Sequence, residues 1–434
     1  MPDGFDAAEA ARMTSLVLPL GDPRAADPAR FGPKAANLAR LAQQGLPTPG
    51  GMCVDADAYR RQIAALSLAE TAKGVFSTEG PRARRLALDM KLALMGNPVD
   101  PSVAEPLLAA WRSLRALGNQ VVVRSSALVE DRSGSSFAGQ FDSFLELDSE
   151  EDFLTAVRSC WAALWSTRAL RYMATHDLDP ADTAMALLVQ PLVPARASGG
   201  GMSRAADDEM WITAAPGLGS AIAQGEVVPD RYVLDREGRW RDAAPGRKYR
   251  NIGCAHGGRS VSRALFTAPC LSREQVLELG TLLRRIDGLL GMPVEIEWAA
   301  DDSGFKLLQA RPLHVGAAHV PDEIWLQRPR LTGHPAGVGW GTGRAAVIQC
   351  ECELARVAPG DVLVTTVAGP GLVEVLPRVA GVVAELGGST SHLASLARER
   401  GVPMVLGVPD ATMRIPNGAQ VAVDGVAGIV RWMP

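Results

Sequence analysis

The sequence predicts an α/β (α+β) protein with more than one domain, and three observations support this prediction. Short apolar runs rich in β-branched residues alternate with stretches of helical periodicity along most of the chain. At 434 residues, the chain is long enough for about three domains or large subdomains. The periodicity fades between residues 312 and 329, where prolines accumulate, and we predict a domain boundary there.

The composition narrows the class of protein and of partner. Apolar residues make up 47% of the chain and charged residues 21%, which is typical of a globular protein with a filled core. The net charge is −4 and no block of lysine and arginine occurs, so we expect no nucleic-acid partner. No run approaches the roughly 20 apolar residues that span a bilayer, so we expect no membrane partner. The acidic start lacks the features of a signal peptide, which predicts a cytoplasmic protein.

In the first 310 or so residues, helical and extended patterns alternate. Apolar residues recur with helical spacing over residues 34–41, and residues 120–124 form a β-branched strand that leads into a polar loop. Further strands are predicted at residues 183–193, 209–214, 294–298 and 305–309. We expect residues 198–201, which are rich in glycine, to be a flexible connection. Ser272 is placed to cap a helix over residues 272–290.

The residues after the boundary predict a second, smaller α/β domain. Extended runs occur at residues 338–350, 361–366, 379–385, 404–408 and 420–432, with one clear helix among them. A domain of about 105 residues is of ordinary size.

The six cysteines are scattered through the chain. Cys350 and Cys352 lie too close in sequence for an ordinary zinc-binding pair, which has two to four residues between the ligands. A metal site that also uses Cys254 and His256 is a remote alternative. We expect thiols in a reducing compartment.

The most informative segment contains a histidine at the start of a predicted helix. Gly387-Gly388 allows a tight turn before three hydroxyl residues that can cap a helix, and a glycine at position 401 ends the helix. His392 therefore falls in the first turn, where exposed N–H groups and the helix dipole favour an anion. The same dipole disfavours protonation, so the imidazole stays neutral and nucleophilic. The alternative is a histidine with no role beyond the helix start.

This segment resembles a known family. Gly387-Gly-Ser-Thr-Ser-His392 and the following residues 397–407 resemble the phosphohistidine domain of the PEP-utilising dikinases: pyruvate phosphate dikinase, phosphoenolpyruvate synthase and rifampin phosphotransferase. The flanking residues 359–364 and 421–425 agree with that domain. The resemblance implies that the transiently phosphorylated residue is His392.

A second segment, residues 123–143, ends a strand in a loop rich in hydroxyls and glycine. Arg124 stands at this point, and an arginine fork suits phosphate oxygens; a salt-bridged surface arginine is the alternative. The segment resembles the ATP-grasp domain of the same enzymes. The resemblance implies that Arg124 contacts ATP phosphates and that the loop around Gly139 and Gln140 covers the nucleotide. Ser143 stands where threonine is usual and keeps the hydroxyl.

Two further segments add nucleotide contacts by resemblance. Residues 32–38 resemble the family's Gly-Gly-Lys-Gly-x-Asn-Leu segment, so Lys34 is expected to contact phosphate, although Pro33 and Ala35 replace glycines. A solvated lysine on a helix is the alternative. Residues 189–193 resemble the hinge that holds adenine, which makes Gln190 a contact.

The strands at 294–298 and 308–312 resemble the pair that closes the nucleotide site. Alternation along a strand places Glu295 and Glu297 on one face. A carboxylate and an amide oxygen suit a hard cation, so Glu297 and Gln309 are the expected Mg²⁺ ligands. Arg311 would share a face with Gln309 and reach the phosphates. Without the resemblance, these acidic residues would more often form a solvated face.

Together, the resemblance implies an ATP-grasp domain at residues 1–320 and a swivelling phosphohistidine domain at residues 321–434. ATP would bind with Mg²⁺ between two lobes, and the β-phosphoryl group would end on His392 with release of AMP and phosphate. The family's third, acceptor-binding domain has no counterpart before residue 434. We therefore expect a small-molecule acceptor that binds on a separate polypeptide or at the interface of the two modules.

Three functions stay open at this point. The first is a dikinase-type phosphotransferase that acts on a small molecule. The second is a phosphocarrier subunit that needs another protein for turnover. The third is an ATP-grasp ligase that forms ADP and does not use His392. The sequence does not identify the acceptor, the oligomeric state or the pathway.

Overall fold

The structure is a computed structural model that describes residues 16–433 apart from residues 79, 131–140, 142, 175, 206–207, 249–267 and 314–322. Backbone contacts divide the chain into two compact units, Met1–Val193 and Pro194–Pro434. Both units contain helices and strands, which confirms the predicted α/β (α+β) class. The domain boundary predicted at residues 320 and 321 lies outside the described residues, so that division stays a prediction.

The first unit contains, in its described part, an antiparallel sheet of five strands in the order β1-β2-β5-β3-β4. The strands are β1 (Val17–Pro19), β2 (Met52–Val54), β3 (Val121–Ala127), β4 (Ser143–Phe144) and β5 (Met185–Pro191). The helices are α1 (Pro28–Gln43), α2 (Asp57–Ala65), α3 (Ala69–Ser77), α4 (Gly80–Gly96), α5 (Pro101–Ala116), α6 (Glu150–Ala163) and α7 (Thr167–Ala174). Short 3₁₀ turns occur at Pro23–Ala26 and Pro180–Asp182.

The predicted helix over residues 34–41 is confirmed as part of the longer α1. The carboxylate of Asp27 accepts a hydrogen bond from the backbone N–H of Ala29 at 2.9 Å, and Pro28 occupies the first helical position. Leu38 and Leu41 are completely buried, so the periodic apolar face packs into the core as predicted.

The second unit begins with an antiparallel sheet of six described strands in the order β11-β10-β6-β7-β8-β9. The strands are β6 (Ala197–Met202), β7 (Met210–Pro216), β8 (Asp230–Leu234), β9 (Trp240–Ala244), β10 (Val294–Asp301) and β11 (Gly304–Pro312). The helices are α8 (Ser220–Ala223) and α9 (Arg273–Leu290). The predicted cap of α9 is confirmed, because Ser272 and Gln275 form a capping box.

The prediction that residues 198–201 form a flexible connection is wrong. They belong to β6, an inner strand between β10 and β7. A Cβ atom on Gly199 would lie 1.8 Å from the carbonyl oxygen of Thr213. The glycines therefore allow close packing against the adjacent strand, and they do not make the segment flexible. Glycine content alone does not distinguish these two roles.

The second unit also contains a mixed sheet of eight described strands in the order β12-β19-β18-β14-β15-β16-β17-β13. The strands are β12 (Arg330–Thr332), β13 (His334–Pro335), β14 (Trp340–Ile348), β15 (Val362–Thr365), β16 (Gly381–Ala384), β17 (Met404–Leu406), β18 (Gln420–Asp424) and β19 (Ile429–Met433). The helices are α10 (Glu323–Leu326), α11 (His392–Glu399) and α12 (Ala411–Arg414). Short 3₁₀ turns occur at Glu351–Arg356 and Pro370–Glu374. The run predicted at residues 420–432 divides into two strands.

Strands β14, β15, β16 and β17 are parallel neighbours in that order. Helix α11 is the connection between β16 and β17, so the chain forms a strand–helix–strand unit at this point. The strands meet in an apolar core that includes Val364, Val383 and Val405. Ligands of such sheets commonly bind beyond the carboxyl ends of the strands, where crossover helices begin.

The cysteine prediction needs a correction. Cys350 and Cys352 form a disulfide, with their Cα atoms 5.4 Å apart. Extended backbone at Cys350, followed by the 3₁₀ turn at Glu351–Arg356, brings the two residues within the Cα separation that a disulfide requires. Cys254 and His256 lie outside the described residues.

Among the described helices, none combines the length and the apolar character needed to cross a bilayer.

Candidate active site

Lys34 lies just after a break in α1. Gly32 has φ of 72°, and a Cβ atom there would lie 2.3 Å from the carbonyl oxygen of Ser126. Only glycine fits this position, whereas Pro33 is acceptable because it starts the next helical section. The Nζ atom of Lys34 donates to the carbonyl oxygen of Ser125 at 3.0 Å and lies 3.2 Å from Oε1 of Glu130. Lys34 is therefore held by β3 and by a buried carboxylate.

Glu130 is the partner of Lys34 that the sequence did not predict. Its side chain is 3% exposed, and its second oxygen accepts a hydrogen bond from the backbone N–H of Ala127 at 2.8 Å. Burial raises the pKa of Glu130, although the charges of Lys34 and Arg124 act in the opposite direction. The sequence shows Glu130 as an acidic residue just after the strand that carries Arg124. Its pairing with Lys34 could not be predicted, because the two residues are 96 positions apart.

The structure brings two other predicted residues together in the first unit. Arg124 on β3 lies directly opposite Ser143 on β4. Opposite residues of an antiparallel pair present their side chains on the same face. Gly139 and Gln140 lie outside the described residues, so their predicted role over the nucleotide stays a prediction.

Gln190 lies on β5 and is 2% exposed. Its Nε2 atom donates to the carbonyl oxygen of Gly50 at 2.9 Å. A Cβ atom on the next residue, Gly51, would lie 2.4 Å from the carbonyl oxygen of Val189, so the chain runs tightly past this strand. The amide N–H group of Gln190 is thus used within the protein, and a nucleotide contact through this residue stays a prediction.

In the second unit, Glu297 on β10 lies directly opposite Gln309 on β11. Two positions away along the same strands, Glu295 lies opposite Arg311. Because direct neighbours and alternate residues share a face of a sheet, these four side chains lie on one face. The strand pair therefore presents the predicted metal ligands beside the predicted phosphate-binding arginine.

A buried ionic cluster, formed by Glu295, Arg311, Ser395 and Arg398, joins this face to α11. The Nε atom of Arg311 lies 3.1 Å from Oε2 of Glu295, and Nη2 of Arg398 lies 3.0 Å from each carboxylate oxygen. The three charged side chains are at most 8% exposed. Burial acts to raise the pKa of Glu295, but the charges of Arg311 and Arg398 outweigh it and lower this pKa. The carboxylate is therefore ionised.

The hydroxyl of Ser395 completes the cluster. It donates to Oε2 of Glu295 at 3.2 Å and accepts a hydrogen bond from Arg311. Arg398 also donates to the carbonyl oxygen of Ser389 at 2.6 Å, in the loop before α11. Helix α11 therefore packs against the face of β10 and β11 that carries Glu297 and Gln309.

His392 is the first residue of α11, as the sequence predicted. Ser391 is the N-cap, and its hydroxyl accepts a hydrogen bond from the backbone N–H of Ala394 at 3.3 Å. Positive φ at Gly387 (103°) turns the chain into this loop. His392 thus lies at the positive end of the helix dipole, where an anion is favoured.

The loop before His392 is anchored to β6 and β7. The hydroxyls of Thr390 and Thr213 lie 2.8 Å apart and share a hydrogen bond. A Cβ atom on Gly200 would lie 2.6 Å from Thr390, and Gly200 lies directly opposite Glu297. Thr390, two residues before His392, therefore lies next to Gly200, the cross-strand neighbour of Glu297. The backbone that leads into His392 is thus attached next to the strand pair.

The comparisons with known proteins agree with this arrangement. Residues 29–327 match the family described as pyruvate phosphate dikinase, AMP/ATP-binding domain. Residues 357–428 match the family described as PEP-utilising enzyme, mobile domain.

Proteins similar to this chain occur in archaea and bacteria. The chain is 31% identical to the phosphoenolpyruvate synthase of Pyrococcus furiosus, with 92% of this chain and 56% of that protein covered. It is 31% identical to the probable phosphoenolpyruvate synthase of Methanothermobacter thermautotrophicus, with coverage of 92% and 61%. It is 28% identical to the phosphoenolpyruvate synthase of Neisseria meningitidis, with coverage of 93% and 56%. The chain thus spans little more than half the length of these relatives.

The family match covers well over half of the chain, and it includes both strands that carry Glu297, Gln309 and Arg311. The second match includes the whole of α11. The chain therefore belongs to the pyruvate phosphate dikinase AMP/ATP-binding family and carries the mobile domain of PEP-utilising enzymes.

Proposed function

We propose that this chain is an ATP-dependent phosphotransferase of the dikinase type, with His392 as the phosphoryl carrier. ATP, water and an acceptor would be converted into AMP, phosphate and phosphorylated acceptor. His392 would take the β-phosphoryl group from ATP and then pass it on. This balances the transfer without any oxidant or reductant.

The observation that carries this proposal is the position of α11. Its first residue is His392, and the helix is attached to the face of β10 and β11 that carries Glu297, Gln309 and Arg311. A nucleophile for phosphoryl transfer has to lie near the groups that bind the phosphates. A histidine without a role at a helix start would not need such an attachment.

Cationic side chains would bind and orient the triphosphate. Lys34, Arg124 and Arg311 are the candidates, since positive charge offsets the charge of the transferred phosphoryl group. Arg311 is already positioned by Glu295, which fixes the direction of its guanidinium group. Arginine retains its charge at any physiological pH, so its binding capacity does not depend on protonation.

Glu297 and Gln309 are the residues that would hold Mg²⁺. Their positions directly opposite each other in an antiparallel pair put a carboxylate and an amide oxygen within reach of a single ion. Magnesium typically takes one or two protein oxygens and completes its shell with water and phosphate oxygens, so two ligands suffice. When bound, the ion would neutralise charge on the phosphates.

Pyruvate is the acceptor to test first, because the relatives are named phosphoenolpyruvate synthases. Two alternative functions predict different products. A phosphocarrier would acquire one phosphoryl group per chain and not turn over with any small acceptor. A ligase of the ATP-grasp type would release ADP and would not need His392. The cytoplasmic location stays a prediction.

The test uses ATP labelled separately at the β- and γ-phosphorus, with magnesium present. We expect the β label on the protein, the γ label in inorganic phosphate and AMP as the nucleotide product. His392→Ala should lose all incorporation. The control His176→Gln changes a half-buried histidine of the first unit whose ring stacks on Tyr172 at 4.3 Å, and it should retain incorporation. Release of ADP, or activity that survives in His392→Ala, would contradict the proposal.

The acceptor is tested separately on the phosphorylated protein. Loss of the label from the protein on addition of pyruvate, with formation of labelled phosphoenolpyruvate, would establish the complete reaction. A stable label with pyruvate would exclude pyruvate as the acceptor, and only a label that is stable with every small acceptor tested would assign the chain to the carrier class.

A further inference from the structure

His334 has a buried imidazole with an unsatisfied nitrogen. It lies on β13 and is 8% exposed, and its Nδ1 atom has no hydrogen-bond partner among the described residues. Its ring packs on Gly407, where a Cβ atom would lie 2.8 Å from Cδ2 of His334. Buried polar atoms nearly always have a partner. Among the described residues, Nδ1 of His334 is therefore an unused hydrogen-bonding position that a bound group can occupy.

Two guanidinium groups accompany this imidazole. Nη2 of Arg247 donates to the carbonyl oxygens of Glu385 at 2.9 Å and Gly407 at 3.1 Å, which places it beside the same glycine. The second group is that of Arg231, on β8. The chain just before β8 passes the same glycine, because a Cβ atom on Gly407 would lie 3.1 Å from Cγ1 of Val228. The Nε atom of Arg231 is also buried without a partner among the described residues.

The local charge is positive. Burial first, and then the charges of Arg231 and Arg247, lower the pKa of His334 to about 4. Arg231 pairs with Asp242 at 3.0 Å, but that carboxylate is 59% exposed. The partners of Arg247 are neutral carbonyl oxygens in the described part of the chain. Two arginines and two unsatisfied nitrogen atoms among the described residues are groups with which proteins bind oxyanions.

We infer that His334, Arg231 and Arg247 form a binding site for a small oxyanion of the size of phosphate. Arg247 and Arg231 supply the charge, while Nε of Arg231 and Nδ1 of His334 supply unused hydrogen-bonding positions. The side chain of Arg231 is 23% exposed, so the site is open to solvent on one side.

The site lies at the base of the loop that carries His392. The position of a Cβ atom on Gly407 is 3.4 Å from the carbonyl oxygen of Gly387, the glycine that begins this loop. An anion bound here would contact the backbone at the base of this loop. None of the three residues is an expected ligand of ATP, so the inference does not depend on the proposed function.

The occupant could be free inorganic phosphate or the carboxylate of a small organic acid, since both are oxyanions. The test has one arm for each: titration with inorganic phosphate and with pyruvate at constant ionic strength, without ATP, followed by calorimetry. We expect saturable binding of at least one of them to the full chain. His334→Gln and Arg247→Met should each weaken it about tenfold, as expected for a lost charge-assisted hydrogen bond.

Two control variants make the test specific. Arg330→Met removes an exposed arginine from β12 and should leave the affinity unchanged. His392→Ala should also bind the anion as the unmodified protein does, so a failure of the phosphotransfer proposal would not affect this result. Absence of saturation at millimolar anion, or equal weakening by Arg330→Met, would overturn the inference.

A measurement on the unmodified protein covers the case in which the variants do not fold. An anion beside the imidazole favours its protonated form. The pKa of His334, followed by nitrogen chemical shifts, should therefore rise when the anion is added. An unchanged pKa at an anion concentration that saturates the calorimetric signal would overturn the assignment of His334 to the site.

Discussion

The two buried carboxylates beside the candidate phosphate-binding cations differ in what they hold. Glu130 faces Lys34, and its pKa is raised because burial outweighs the nearby charges. Glu295 faces Arg311 and Arg398, and its pKa is lowered because two guanidinium groups outweigh burial. The first carboxylate positions one cation beside its own strand. The second connects a strand pair to α11 and so determines where His392 lies.

The largest effect is expected for Glu295→Gln. This change leaves two buried arginines without their counter-ion, and loss of one partner of a buried ionic cluster costs about 3–5 kcal/mol. Denaturant unfolding should show this decrease in the free energy of unfolding, and incorporation of phosphate on His392 should fall with it. A decrease of less than about 1 kcal/mol, the value of an exposed ion pair, would contradict the role of this cluster.

The pH dependence of His334 gives a third case, in which burial and the charges of two arginines together oppose protonation of a side chain. Its pKa is lowered from 6.5 to about 4. The unfolded chain therefore binds a proton below pH 6.5 that the native protein does not bind, and stability is lost as the pH falls from about 6.5 to 4. His334→Gln should lose about 2–3 kcal/mol less than the unmodified protein between pH 7 and 4.5. Parallel unfolding curves at these pH values provide the measurement; identical losses would refute the prediction.

Gly200→Ala should separate attachment of the histidine loop from the general stability of β6. The new Cβ atom would lie 2.6 Å from Thr390, whereas in the control Gly201→Ala it would lie 3.0 Å or more from the nearest side chains, those of Leu283 and Ile296, and away from the histidine loop. We expect the rate of His392 phosphorylation to fall about tenfold in Gly200→Ala, equivalent to about 1.4 kcal/mol in the barrier. Single-turnover incorporation of label measures this rate. Equal rates in the two variants would show that the contact with Thr390 does not position the loop.

The smallest effect is expected for Glu130→Gln. The amide can still accept the hydrogen bond from Ala127, and burial already disfavours the ionised form of Glu130. The free energy of unfolding at neutral pH, measured by denaturant unfolding, should therefore change by no more than about 1 kcal/mol in either direction.

The sign of the pH dependence sharpens the contrast between the two carboxylates. A lowered pKa contributes stability above the unfolded value of 4.5, and that contribution is lost on acidification. A raised pKa has the opposite effect. The stability difference from Glu295→Gln should therefore shrink from pH 7 to 4, whereas that from Glu130→Gln should not.

The sequence predicted the features that depend on local pattern. The helix start near His392, a cap among the three hydroxyl residues before it and the strand pair with Glu297 and Gln309 all follow from short-range signals. The match to a known family added the expected chemistry of these residues.

The sequence did not predict the features that depend on packing between distant segments. Nothing in the sequence around Arg398 indicates that it pairs with Glu295, because this contact forms only when α11 packs on β10 and β11. Gly199 and Gly200 suggested a flexible connection, because the atoms that exclude a side chain there belong to Thr213 and Thr390. The site in which His334 lies combines three segments, and no spacing rule relates them.

The attachment of α11 at both of its ends has a consequence for motion. The helix has eight residues and is about 12 Å long. Thr390 fastens it before its first residue, and Arg398 fastens it near its last. A short helix held by contacts at both ends cannot rotate about one contact without straining the other. We therefore expect α11 to detach from the strands in one cooperative step, in which the contacts of Thr390 and Arg398 break together without a half-detached intermediate.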